Sequence, residues 1–342
     1  MSINLVWRTD VHMADKGPSS RLDDWPTTVL DKLGQVRDIA KEVNASAIID
    51  GGDFFHIKSP GRNSHSLIHR TAEHHANYPC PVYCTPGNHD SVYGDYSFLP
   101  QQPLGVLFSA GVFKRLYDEH EAVFEFPFSA WERDKNGTKL KVRVVGIPYH
   151  GNSYDMERFT SIEKGDEDYL VCVAHVLASE KGGTMFEGED IIKYQDLMET
   201  APDVYCFGHW HMDQGVKRIE NFYAESGQAV VKHFVNVGSL TRGSLSQDEL
   251  RRKPAAVVLG FDKSGINIEI RRLKVKPPEE IFDIEGRARQ VKRQVDMDAF
   301  VTRIKTALQT ETSSQSVEDE LSGVGGVAAD IRERALAYLE RV

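Results

Sequence analysis

Five short apolar runs in this chain end in residues that ligate metals or move protons. The run 3–7 leads into Asp10-Val11-His12, the run 47–49 into Gly51-Gly52-Asp53, and the run 81–84 into Thr85-Pro86-Gly87-Asn88-His89-Asp90. The run 170–174 leads into His175, and 204–207 into Gly208-His209-Trp210-His211. Any one of these is compatible with an ordinary polar turn. Five of one kind point to a shared site, because parallel strands bring their carboxyl ends to one edge, where open α/β folds hold their ligands.

Asp10, His12, Asp53, Asn88, His175, His209 and His211 together supply two carboxylates, one amide oxygen and four imidazoles. That is too many ligands for a single ion. Two ions about 3.5–4 Å apart and sharing a carboxylate would use them all, the arrangement that clamps the attacking and leaving oxygens of a phosphoryl displacement. Asp53, closing a glycine turn, is the natural bridge. Imidazole and carboxylate ligation without thiolate suits Mn, Fe, Zn or Ni better than Mg or Ca.

The elements that must position these residues alternate along residues 3–261. Val29, Leu30, Leu33, Val36, Ile39, Ala40 and Val43 recur at helical spacing over 25–43, and 63–77 reads as a second, more polar helix. Both serve as crossovers between parallel strands. Strand runs at 141–147, 230–235, 255–261 and 266–273 have few helices between them, so the expected fold class is α/β, a layered αββα sandwich of two mixed sheets flanked by helices. Pro277-Pro278 marks a boundary, since neither residue can donate to a sheet ladder. Beyond it Met297, Phe300, Val301, Ile304 and Leu308 form one amphipathic run, 310–316 a polar linker, and Ile331, Ala335, Leu336 and Leu339 a second run. The domain expectation is a catalytic domain over 1–275, a reduced cap or linker over 276–294, and a C-terminal helix-linker-helix appendage over 295–342.

Composition narrows the class. The 342 residues, 40% hydrophobic and 27% charged, are ordinary globular values. No run approaches the roughly 18–20 apolar residues that cross a bilayer, and Asp10 follows the start too closely for a signal peptide to precede the first strand, so the expectation is a cytoplasmic protein with no membrane partner. Four cysteines in a chain of this length make no disulfide framework and read as free thiols. A net charge of -10 argues against coating nucleic acid by bulk electrostatics, yet residues 242–293 hold 13 Lys and Arg against 8 Asp and Glu, a local basic stretch. His65, His69, His74 and His75 read as a solvated helix face, and His150 as a groove-lining or loop-capping residue.

The ordered blocks Asp-Val-His, Gly-Gly-Asp, Gly-Asn-His-Asp, isolated His and Gly-His-Trp-His resemble the calcineurin-like metallophosphoesterases over about residues 3–239. The resemblance implies one metal held by Asp10, His12, Asp53 and His211 and a second by Asp53, Asn88, His175 and His209. It implies that His89 protonates the leaving oxygen or steadies the phosphate, and Asp90 would orient His89, since a carboxylate fixes an imidazole's tautomer. Gly51-Gly52-Asp53-Phe54-Phe55-His56, with Lys58-Ser59-Pro60 after it, looks like a block of the SbcD-like DNA double-strand-break repair nucleases, as does Asn236-Val237-Gly238-Ser239-Leu240-Thr241-Arg242.

That branch implies a manganese-dependent DNA exonuclease with single-strand endonuclease activity. His56 and Arg242 are its candidate substrate contacts, and residues 271–276 and 287–293 its candidate phosphate contacts. The branch also implies docking of the C-terminal helices on an SMC-like ATPase, an amphipathic-helix mode of recognition; packing on the chain's own domain or a homodimer is the other use of such helices. A phosphomonoesterase, a cyclic-nucleotide phosphodiesterase and a non-catalytic docking scaffold are the alternatives. The short 276–294 segment departs from longer branch members, which carry a full capping domain there.

Overall fold

Alternation along the strands decides the layering. In β1 (Ile3–Arg8) and β2 (Ala47–Asp50), successive side chains leave opposite faces of the pleat. Leu5, Trp7, Ala47 and Ile49 join one buried cluster, with Val171, Val173, Val204, Cys206, Val235 and Val257, whereas Val6 and Ile48 join another with Val29, Leu33 and Val36. The first cluster is the filling between two sheets. The second lies beneath α1 (Trp25–Glu42), whose start is set by Asp24, accepting from the Thr27 amide at 3.0 Å, and by Pro26 in its first turn.

The computed structural model describes residues 2–309 apart from 93, 127–138, 184–187 and 224–227. The chain divides into two units, Met1–Glu280 and Ile281–Val342. In the first unit β1, β2, β3 (Val82–Cys84) and β4 (Phe113–Arg115) run parallel, joined through α1, α2 (His65–His75) and α3 (Pro103–Ser109). The other sheet carries β5 (Ala122–Phe126), β6 (Leu140–Ile147), β7 (Tyr169–His175), β10 (Val204–Gly208), β11 (Asp213–Tyr223) and β12 (Gln228–Val237), in the order β11-β12-β10-β7-β6-β5. Here β6, β7, β10 and β12 are parallel and the two edges antiparallel. Two further antiparallel strands, β13 (Ala255–Asp262) and β14 (Gly265–Arg272), complete the first sheet as β14-β13-β1-β2-β3-β4.

A small parallel pair, β8 (Ala178–Ser179) and β9 (Ile192–Lys193), and the short helices α4 (Glu157–Thr160), α5 (Gln247–Arg251) and α6 (Pro278–Ile281) fill the connections. The expected αββα sandwich of two mixed sheets is the fold. In the second unit α7 (Ile284–Gln309) takes in the latter part of the 276–294 stretch as well as Met297 to Leu308. The polar linker 310–316 and the run from Ile331 to Leu339 lie outside the described residues. Among the described residues no helix is long and apolar enough to cross a membrane. All four cysteines are free thiols.

One buried polar network holds the ends of β1 and β2 in place. Arg8 Nε donates to Asp50 Oδ2 at 2.7 Å, with both side chains fully buried. The guanidinium also donates to Tyr78 Oη at 3.2 Å and reaches His75 Nε2 at 3.1 Å, while His75 Nδ1 donates to the Thr71 carbonyl at 2.7 Å. His75 is therefore an interior acceptor for Arg8, which corrects the expectation of a solvated histidine face; only His65 and His69 are fully exposed, and His74 is half-buried. Helical spacing alone did not separate them, because the partner comes from a strand 67 residues away. Asp50→Ala should leave Arg8 charged and unpaired in the interior and lower the unfolding free energy by about 3–5 kcal/mol in denaturant titration. A loss no larger than that of a surface pair, about 1 kcal/mol, would show that this pair does not anchor the strand ends.

Candidate metal centre

The residues just beyond Arg8 and Asp50 leave the extended conformation abruptly. Asp10, His12, Asp53 and His209 have φ of 52°, 50°, 52° and 82°, the left-handed region that side chains with a Cβ avoid. Such strain persists where surrounding bonds dictate it. Asp10 N–H donates to the Gly52 carbonyl and His12 N–H to the Asp53 carbonyl, each at 3.0 Å, lacing the first two loops together. The His209 amide donates to Asp10 Oδ2 at 3.1 Å and the His89 amide to Asp53 Oδ1 at 2.7 Å, so the carboxylates themselves organise the other loops.

Close approach explains the glycines between these ligands. A Cβ on Gly87 would lie 2.2 Å from Asp53 Oδ1 and 2.6 Å from His175 Cε1. Gly52, at φ +99°, would place one 2.7 Å from His175 Nδ1. Only a bare backbone lets β2, β3 and β7 deliver their side chains to one point.

The seven expected ligands converge. Asp10, His12, Asp53 and His211 form one group and Asp53, His175 and His209 another, with the ligand atoms in each within 4.8 Å of one another. His12 Nε2 and His211 Nε2 are 2.9 Å apart, and Asp10 Oδ1 is 3.4 Å from the latter. Asp53 Oδ2 is 3.8 Å from His12 Nε2 and 3.5 Å from His175 Nε2, a position shared by both groups. His175 Nδ1 donates to the Gly51 carbonyl at 2.7 Å, which makes Nε2, 3.1 Å from Asn88 Oδ1, the nitrogen that carries a proton or a metal.

Charge explains what the cluster is built to hold. Asp10 and Asp53 are buried, and among the described residues their ion pairs are with histidines alone, with no Lys or Arg. Burial opposes ionisation of His175, but Asp53 and Asp10 overcome it and hold its pKa up at about 9. His12 is driven the other way, to about 3, by burial and by the charge of His211. Burial would raise Asp10, yet the hydrogen bond and charge of His211 pull it down to about 2. Anionic oxygens, imidazole nitrogens and a shared Asp53 fit two divalent cations, which would substitute for the protons that His175 and His211 otherwise retain.

Three expectations change around this centre. Asp90 does not orient His89: its carboxylate accepts from the amides of Gly87 at 3.0 Å and of Phe54 and Phe55 at 3.2 Å, tying the second and third loops together. Burial and the charge of Asp53 raise its pKa to about 7. The His89 ring is fixed instead by Nδ1 donating to the His56 carbonyl at 2.7 Å and by stacking on the His56 ring, centroids 5.0 Å apart. Arg242 is no substrate contact, because it is buried with its guanidinium turned onto the Lys276 carbonyl at 2.5 Å. In the expected basic stretch, Arg271 pairs with Glu42 at 2.7 Å and Arg272 with Asp213 at 2.5 Å, so neighbouring acids neutralise part of it.

His150 caps a loop, accepting from the Asp155 amide and donating to the Pro148 carbonyl. Sequence spacing missed Glu189, which touches His209 at 2.8 Å, because it follows no apolar run and sits in the connection between β8 and β9. A groove of about 920 Å³ is lined by Asn88 and His89 of the centre together with Trp210, Met212, Ser246 and Arg251 among others.

Residues 6–213, well over half of the chain, match the calcineurin-like phosphoesterase family. The chain belongs to that family. Its ligand blocks, from Asp10 to His211, all fall within the matched span. A crystal structure of a dimetal phosphatase from Danio rerio aligns over 79% of this chain and 96% of its own, at 9% identity and a TM-score of 0.46. Another crystal structure aligns over 80% of this chain and 100% of its own, at 11% identity and a TM-score of 0.43. No curated protein matches the chain significantly. As a family member with this cluster, the protein is a metal-dependent phosphoesterase.

Calorimetric titration of metal-free protein should show two ions per chain, with Asp53→Ala weakening both. Full retention of either would rule out a shared Asp53. The proton on His175 competes with metal below its pKa, so apparent affinity should rise by up to about tenfold per pH unit from pH 7 toward 9 and then level. A flat profile would show that His175 gives up no proton on binding.

Proposed function

We infer that the protein is a DNA phosphodiesterase of the SbcD-like branch, an exonuclease with endonuclease activity on single strands, using two manganese ions. The observation that carries this reading is the groove. Its lining joins Asp53 and His89 of the centre to Trp210, Met212, Ser244 and Ser246. Hydroxyls suit phosphate oxygens and an aromatic face suits an unpaired base. Exposed Lys16 and Arg251 line it as well, alongside Asp213, Asp248 and Glu249. The block from Gly51 to His56 supports the same branch, since it sets His56 against His89 at the groove's inner end.

Two divalent ions on these ligands would polarise phosphoryl oxygens and supply a nucleophile from water near neutral pH. The chain's own residues do the rest. Asp53 and Asp10 set the loop ends, and Asn88 presents an amide oxygen. His89, with Nδ1 engaged by the His56 carbonyl, keeps Nε2 as the nitrogen that gives a proton to a leaving oxygen or holds the phosphate.

Linear double-stranded DNA, single-stranded DNA, bis(p-nitrophenyl) phosphate and a phosphoprotein, each with manganese, test the reading. DNA cleavage is expected, reduced about 10²–10⁴-fold in His89→Ala while both ions stay bound. Hydrolysis confined to the small ester or the phosphoprotein would overturn the DNA reading in favour of another phosphoesterase of the family. The C-terminal helical region is proposed to dock an SMC-like ATPase. Removing residues 297–342 should then preserve hydrolysis and abolish co-purification of the ATPase, and undiminished co-purification would refute the docking.

A further inference from the structure

His209 differs from the other imidazoles of the centre in what stands behind it. Its Nε2 lies 2.8 Å from Glu189 Oε1, and both side chains are largely buried. The same carboxylate oxygen accepts from Tyr154 Oη at 2.5 Å, and that hydroxyl in turn accepts from the Leu177 amide at 2.9 Å. Neighbouring bonds pin the loop: the Asp190 amide donates to the Asn152 carbonyl at 2.8 Å, and Asp190 Oδ2 accepts from the Tyr154 amide at 3.3 Å. A chain of donors therefore runs from Leu177, two residues past His175, through Tyr154 to Glu189, which His209 meets from the other side.

Tautomer logic gives this chain a purpose. A carboxylate only accepts, so the His209 nitrogen facing Glu189 carries a proton and Nδ1 is the nitrogen that remains to ligate. A carboxylate in that position also raises the basicity of the opposite nitrogen and fixes the ring's direction. Tyr149, whose ring centroid is 5.3 Å from that of His209, packs beside it. His175 has the backbone carbonyl of Gly51 in the equivalent place. His209 lies on a loop at positive φ and is held by a side chain instead.

We propose that Glu189, steadied by Tyr154, is the positioning residue of the second metal site, presenting His209 Nδ1 as a ligand beside Asp53, Asn88 and His175. The proposal rests on the two-ion reading of the centre. It makes the two sites unequal: the first, built on Asp10, His12, Asp53 and His211, has no part in the Glu189 chain, so loss of Glu189 acts on one ion alone.

Manganese titrated calorimetrically into the metal-free full chain tests this without measuring turnover. Wild type should bind two ions. Glu189→Ala should weaken one of them about 10–100-fold and leave the other unchanged, while Glu189→Gln, which keeps an oxygen able to accept from Nε2, should recover most of the loss. Tyr154→Phe should weaken the same ion by less than Glu189→Ala, and serves if the alanine variant fails to fold. Unchanged binding of both ions by Glu189→Ala or, failing its expression, by Tyr154→Phe would overturn the proposal. So would an equal weakening of both ions. A wild-type protein that binds fewer than two ions would instead overturn the two-ion reading, and this proposal with it.

Discussion

Two buried carboxylates whose ion pairs, among the described residues, are with histidines are the constraint on which this structure turns. Asp10 and Asp53 sit at the ends of adjacent parallel strands, and the ion pairs described for them are with imidazoles only. Uncompensated charge at this depth is costly. The cluster answers by gathering four histidines, one of which burial would neutralise but the carboxylates keep protonated up to about pH 9. A site that must borrow protons to balance its own anions is a site prepared for metal cations.

Placing that much charge at one point demands an unusual backbone, and several of the ligands themselves carry it. Four of the non-glycine residues at positive φ are Asp10, His12, Asp53 and His209. Their loops are held by bonds between loops, including amides that donate to the metal-binding carboxylates. Directly behind them, Arg8 and Asp50 form a buried pair that is internally balanced and further bonded to Tyr78 and His75. The contrast is functional. The pair behind the site is bonded to protein groups and fixes the strands, whereas the carboxylates in front are paired with histidines that can also ligate metal.

The surroundings of the centre grade from rigid to open. On one side Gly87 and Gly52 let the loops close to within van der Waals contact, and Asp90 spends its oxygens on three amides. On the other, His89 and His56 stack at the head of a groove that extends toward Ser246 and Arg251. Chemistry common to the family lies in the rigid part. The groove's lining brings Trp210 and Met212 together with the hydroxyls of Ser244 and Ser246.

Much of this was legible in the sequence. Apolar runs of strand length, each followed by Asp, His or Asn, announce both the parallel sheets and the edge on which ligands collect, because strand direction alone sends those ends to one side. Helical periodicity over residues 25–43 likewise located α1 and its buried face. Partner choice was not legible. His75 and His65 look alike along a helix, yet only tertiary packing sets Arg8 against His75. Asp90 follows His89 directly, but the turn points its carboxylate at the amides of Phe54 and Phe55. Arg242 stands in a motif suggestive of substrate contact, and the fold turns it onto a carbonyl. Glu189 has no motif around it at all. Residue type and spacing determine which chemistry the chain carries, since ligands are intrinsic to side chains. Which proton, which tautomer and which charge each side chain keeps is decided only when distant segments pack, because hydrogen bonds and burial are properties of neighbours in space.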